Sequence, residues 1–210
     1  MAFTVPQPRT PLNGSLAQWY ERGLGWAVSA GPPVQLLTGV RFDVLELPAT
    51  AGFALLRRYE QSGPVALVGR RMRWLVAAGS ADELPGLLDW LEWGGVALDL
   101  RAIGAGGRMT APVPPGRPGS PGAAVWLRPP EPGCEVEARL PSFTGLTQCG
   151  GDGEKGASGA SGTARDGRAA GLSLVRLVAA AATECHRARL FHAQSPGGAG
   201  NAETQPFCFS

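Results

Sequence analysis

Apolar positions along this chain switch between a helical and a strand period, and the switches mark the predicted elements. Leu16, Trp19, Tyr20 and Leu24 recur at helical spacing behind Ser15, a helix-capping residue type, and Gly23 or Gly25 ends that helix. Trp26 to Val28 is a short apolar run, and Gly31-Pro32-Pro33 is a turn. Val34 to Leu37 and Val40 to Leu47 read as strands joined at Thr38-Gly39. Pro48 opens a second helix at its first position, where a missing N–H costs nothing. Ala51, Ala54, Leu55 and Tyr59 give that helix its buried side, and Ser62-Gly63-Pro64 ends it.

Val65 to Val68 and Met72 to Ala77 form the next strand pair, around Gly69-Arg70. Successive strand residues point to opposite faces, so Met72, Trp74 and Val76 share one face and Arg71, Arg73 and Leu75 the other. Ser80 caps a third helix with Leu84, Leu87, Leu88 and Leu91 as its stripe and Trp90 and Trp93 beside them; Gly94-Gly95 stops it. Val96 to Pro112 reads as a strand, a glycine turn and a second strand closed by proline, and Ala123 to Leu127 as a last strand. Strand pairs separated by helices predict an α+β fold, a mostly antiparallel sheet with helices packed on it.

Beyond Pro129 the pattern lapses. Residues 131–170 form a Gly/Pro/Ser-rich linker, and 147–170 carry almost no large apolar side chain, a composition that predicts disorder. Leu174, Leu177, Val178, Ala181 and Cys185 restore the helical period between 171 and 192. That amphipathic helix docks on the same domain or offers its stripe to a protein partner. A flexible leader (1–13), a domain at 14–130 and a disordered tail (193–210) complete the predicted organisation.

Composition narrows the classes of function. The 210 residues are 44% hydrophobic and 17% charged, which fits one domain with tails. A net charge of +2 does not by itself call for nucleic acid. Of the 19 basic residues only Lys155 is lysine, a bias matched by 31 Gly and 19 Pro and therefore read as coding bias first. No run approaches the ~18 apolar residues of a membrane span, and no secretory leader precedes Cys134, Cys149, Cys185 and Cys208, so a cytoplasmic protein with reduced thiols and no membrane partner is expected. Cys185, His186 and His192 match no standard zinc spacing. With both histidines on one helix, no Ser/His/Asp or Cys/His arrangement has support.

The candidate chemistry is acidic and arginine-rich. Asp99 and Arg101 stand two apart on a predicted strand, which suits a metal, phosphate or nucleotide site and equally a surface ion pair. Arg71 and Arg73 either grip phosphate or form the solvated face of their strand.

Several segments, in order along 14–130, resemble the N-terminal Prim-Pol domain of bifunctional DNA primase/polymerases, of the archaeo-eukaryotic primase superfamily. Ala17-Gln18-Trp19-Tyr20-Glu21-Arg22-Gly23 and Gly25-Trp26-Ala27-Val28 resemble its opening helix and entry strand. Val44-Leu45-Glu46-Leu47-Pro48 resembles the strand that delivers an Asp-x-Asp metal pair, and Val65 to Leu75 the hairpin with a Gly-Gly-x-His motif. Leu98-Asp99-Leu100-Arg101 with Gly106-Gly107 and Ala111-Pro112 resembles a third motif, and Trp126 the aromatic of the closing strand. The resemblance implies a Prim-Pol-like α+β fold and primer synthesis or DNA extension from nucleoside triphosphates with Mg²⁺ or Mn²⁺.

The departures bear on that chemistry. Two-metal transfer needs carboxylates that converge on ions about 4 Å apart. Here Glu46 and Pro48 stand at the Asp-x-Asp positions, and Asp43 falls on the opposite strand face. Glu46 and Asp99 are left as catalytic metal ligands. Arg70, Arg71 and Arg73 stand where the family has its histidine and, with Arg101, make the nucleotide or phosphate set. The expectation is a weakened or inactive nucleotide- or DNA-binding module. An active primase/polymerase using Mg²⁺ or Mn²⁺ and a protein-binding scaffold are the alternatives.

Overall fold

A computed structural model describes residues 12–29, 31–60, 62–133, 136–143 and 172–194. In chain order the elements are α1 (Leu12–Gly23), β1 (Val28–Ser29), β2 (Gln35–Leu37), β3 (Phe42–Pro48), α2 (Ala49–Arg58), β4 (Val65–Val68), β5 (Arg71–Ala77), α3 (Ser80–Trp90), β6 (Arg101–Ile103), β7 (Arg108–Thr110), β8 (Val125–Arg128) and α4 (Leu174–Gln194). The fold is α+β. A five-stranded sheet has the order β6-β3-β5-β4-β8, and a three-stranded sheet the order β1-β2-β7. All the ladders between these strands are antiparallel.

The period-two alternation of β3 and β5 decides the layers. Leu45 and Leu47 of β3, with Met72, Trp74 and Val76 of β5, meet Leu55 of α2, Leu84 and Leu87 of α3, and Leu177, Val178 and Ala181 of α4. Phe42 and Val44, with Leu75, face the other way and meet Tyr20, Trp26, Leu36 and Met109. The main sheet therefore carries three helices on one face and α1 with the small sheet on the other. Burial on both faces explains why β3 is closed to solvent along nearly all its length.

Several expectations are corrected. α1 starts at Leu12, so Ser15 lies inside it and the leader ends sooner. Val40 lies outside β3 and is exposed, because Gly39, at φ 84°, turns the chain and its N–H bonds the Phe42 carbonyl. Pro48 ends β3 and precedes α2 rather than sitting inside it. Ser80 does not cap α3; buried Asp43 does, its Oδ2 accepting the Ala81 N–H at 2.9 Å.

The largest correction concerns Val96 to Pro112. Residues 96–100 are not a strand: β6 holds only Arg101–Ile103, paired with Val44–Glu46. β6 and β7 are not a hairpin either. The Thr38 hydroxyl donates to the Gly104 carbonyl at 2.6 Å, and the Thr38 N–H to the Gly107 carbonyl. These bonds draw the glycine turn onto the β2–β3 turn and send β7 to pair with β2 in the other sheet. The approach is close enough that a Cβ on Gly39 would sit 2.2 Å from the Ala105 Cα.

Part of the predicted linker belongs to the fold. Val136 and Leu140 are buried against the second cluster, and the Pro141 and Ser142 carbonyls accept from the Ala77 and Leu174 N–H groups. The stripe of α4 is consumed inside the chain's own core, against α2 and α3, so it is not free for a partner. Of the segments expected to be disordered, 147–170 and most of 193–210 lie outside the described residues, as does 1–11, but Ala193 and Gln194 of the expected tail are the last residues of α4.

Candidate functional site

One row across the main sheet gathers the predicted site. Strand register sets Arg101 of β6 beside Glu46 of β3, Glu46 beside Arg73 of β5, Arg73 beside Ala66 of β4, and Ala66 beside Trp126 of β8. Directly opposed residues on one face touch. Arg71, two residues before Arg73, stands on the same face opposite Pro48. The tight turn that aims it is made by Gly69, at φ 58°, and Arg70. A two-residue turn with a left-handed glycine first matches the twist of its strands. Arg70 itself is exposed, and its carbonyl accepts the Ala49 N–H at 2.9 Å.

The geometry is a carboxylate held by three guanidiniums. Arg73 Nε donates to Glu46 Oε2 at 2.7 Å, Arg71 Nε to Oε1 at 3.1 Å and Arg101 Nε to Oε1 at 2.8 Å, with Arg101 Nη2 adding a further bond. Glu46 is fully buried (0% exposed), while the Arg101 side chain is 66% exposed. Burial alone would raise the Glu46 pKa. The hydrogen bonds and charges of Arg73 and Arg101 outweigh it and hold the carboxyl below its ordinary value. Arg73 Nη1 is buried with no hydrogen-bond partner.

Asp99 joins from the other side. It lies on the irregular segment before β6, and its Oδ2 accepts from Arg71 Nη1 at 2.6 Å. Its side chain is 64% exposed. Burial lowers the Arg71 pKa, but the Asp99 hydrogen bond and charge, with Glu46 behind them, raise it overall. Arg71 thus bridges both carboxylates, and three guanidiniums face two carboxylates. The structure brings Glu46, Asp99, Arg71, Arg73 and Arg101 together, with Arg70 at the adjoining turn. Asp99 reaches the cluster from a loop, not from the strand face predicted for it.

This donor set does not fit a divalent cation. Both Glu46 oxygens are occupied by guanidiniums, Asp99 is paired to Arg71, one of those same guanidiniums, and Pro48 supplies no ligand. Among the described residues no group of three or more His, Cys, Asp or Glu is placed to hold a metal. Cys185 is buried in the helical core and its thiol is pushed up to about 12 by burial, so it stays a packing group rather than a thiolate. His186 packs on Trp93 with ring centroids 5.5 Å apart.

Two surface hollows lie elsewhere. One of about 340 Å³ runs between α3 and the 93–100 segment, lined by Leu84, Leu88, Trp93, Val96 and Leu98. Another of about 230 Å³ lies between Leu87, Trp90, Phe143 and Val175. Both are on the helical side and neither includes the arginine cluster. The three-arginine clamp on Glu46 was not anticipated, although alternation in β3 and β5 already places Glu46, Arg71 and Arg73 on one face if the strands pair in this register.

No family model, curated protein or solved structure matches this chain. Among the described residues no helix is long and apolar enough to cross a membrane.

Proposed function

We propose that the chain is a Prim-Pol-like domain that binds the phosphates of a nucleotide or nucleic acid through its arginines and has little or no metal-dependent polymerase activity. The observation that carries the reading is the clamp on Glu46: the carboxylate at the expected metal position already has both oxygens in hydrogen bonds to Arg71, Arg73 and Arg101. A planar guanidinium grips phosphate bidentately and needs no metal to do so. Arg70 is exposed, and Arg101, though its Nε and Nη2 serve Glu46, reaches solvent with Nη1 outside those bonds, so both can meet a ligand, whereas Arg73 is mostly buried on the carboxylate. This reading places the protein in the cytoplasm, where nucleotides and nucleic acid are found and the buried thiol of Cys185 stays reduced.

The test pairs catalysis with binding. Primer synthesis with Mg²⁺ and with Mn²⁺ is expected to be absent or very weak. A deoxynucleoside triphosphate and a single-stranded oligonucleotide are expected to bind in EDTA, with an affinity that falls as salt rises. Arg70→Ala/Arg101→Ala, which leaves Arg71 and Arg73 on Glu46, should weaken that binding about tenfold or more. Robust primer synthesis overturns the loss of catalysis, and binding that ignores both salt and the double substitution overturns the arginine site.

A further inference from the structure

We propose that Asp99 is a built-in competitor for this phosphate site: its carboxylate occupies the place on Arg71 that a ligand phosphate takes, and the ligand must displace it. The proposal rests on the phosphate reading above. It starts from an asymmetry between the two anions of the cluster. Glu46 is fully buried on β3, an interior strand, and bonded to three guanidiniums, so it cannot leave without disrupting the sheet. Asp99 is 64% exposed and meets the cluster through one ion pair, to Arg71 Nη1.

Leu98 and Leu100 on either side of Asp99 pack partly buried on the helical core, so the freedom belongs to the exposed Asp99 side chain rather than to the loop. Residues 94–100 form no strand ladder. Their backbone meets α4 through a hydrogen bond from Arg189 to the Ala97 carbonyl and a long contact of 3.9 Å from Cys185 Sγ to the Asp99 carbonyl. Exposed ion pairs of this kind are weak and exchange with solvent ions. With Asp99 swung out, Arg71 Nη1 loses its partner while Arg71 and Arg101 both still donate to Glu46 Oε1, and three cations face a single carboxylate. The excess charge calls for a second anion with several oxygens. A phosphate meets that requirement, either the end group of a triphosphate or a backbone phosphate of single-stranded DNA.

The experiment compares the full chain with Asp99→Asn and Asp99→Ser, using inorganic triphosphate and an oligothymidylate in EDTA at low salt. Exposure of Asp99 means both variants should fold with nearly unchanged melting temperature. Removing the competitor is expected to tighten binding about three- to tenfold in both variants, with the gain shrinking as salt rises. A gain confined to triphosphate assigns the site to a terminal phosphate, and a gain for both probes assigns it to any phosphate. Binding in the variants alone also supports competition by Asp99. Equal or weaker binding in the variants, with the wild type still binding, overturns the competitor role and leaves the phosphate reading intact. Failure of all three proteins to bind either probe overturns the phosphate reading itself, and this inference with it.

Discussion

At one end of the outer face of the main sheet, Phe42 and Val44 pair with Ala77 and Leu75 and lie under Tyr20, Trp26 and Met109. At the other end, Glu46 and Pro48 pair with Arg73 and Arg71, and the cover consists of the arginines. The strands are the same; only the layer above them changes. Where α1 and the small sheet extend, burial comes from aromatic packing: Trp26 lies 4.6 Å from Phe42 between ring centroids, and Trp126 Nε1 donates to the Tyr20 hydroxyl, which donates on to the Pro112 carbonyl at 2.7 Å. Where they stop, a carboxylate is sealed by guanidinium groups whose outer donors meet water. The first end can only stabilise. The second carries surplus positive charge at the surface, which is why the functional reading belongs there and not in the apolar hollows beside α3.

The largest expected effect tests the aromatic end. Trp26→Ala should cost about 4 kcal/mol in urea unfolding, with little dependence on salt, because it opens a cavity and breaks no ion pair. Glu46→Gln comes next, at about 3 kcal/mol, since it leaves buried guanidinium donors around a neutral amide. A loss below about 1 kcal/mol would break the comparison, for it would mean the arginines need no buried anion.

The same contrast should appear in acid. The Glu46 pKa is lower folded than its ordinary 4.5, so its contribution is fully present above about pH 4.5 and is lost as pH falls through the folded value. Wild-type stability should therefore drop below pH 4.5 more steeply than that of Glu46→Gln, measured by thermal melting across pH 3–7. Parallel pH curves would contradict the clamp. The smallest effect sharpens the functional side: Arg101→Ala should cost less stability than Glu46→Gln, because Arg71 and Arg73 still hold the buried carboxylate, yet it should weaken triphosphate binding clearly.

What the sequence revealed follows the range of the interactions involved. The faces of β5 were legible because alternation of Arg71, Met72, Arg73 and Trp74 is a local signal, and the four helices announced themselves through their apolar stripes. The cap on α3 was not legible, because Asp43 lies far upstream of Ala81 and meets it only in the folded chain. The β6–β7 turn misled for the same reason: four residues rich in glycine look like a hairpin, and only the Thr38 contacts divert β7 to another sheet. At the site, Glu46, Asp99 and the arginines were identifiable as residue types. That the arginines close over Glu46 depends on register between β3, β5 and β6, which residue types alone do not fix.

The most direct measurement is a paired calorimetric titration of the wild-type protein, with Mn²⁺ alone and with inorganic triphosphate in EDTA. A carboxylate already satisfied by arginines should give no saturable Mn²⁺ binding, while triphosphate binds and does so more weakly as salt rises. Saturable Mn²⁺ binding that Glu46→Gln abolishes, with no binding of triphosphate in EDTA, would contradict the account.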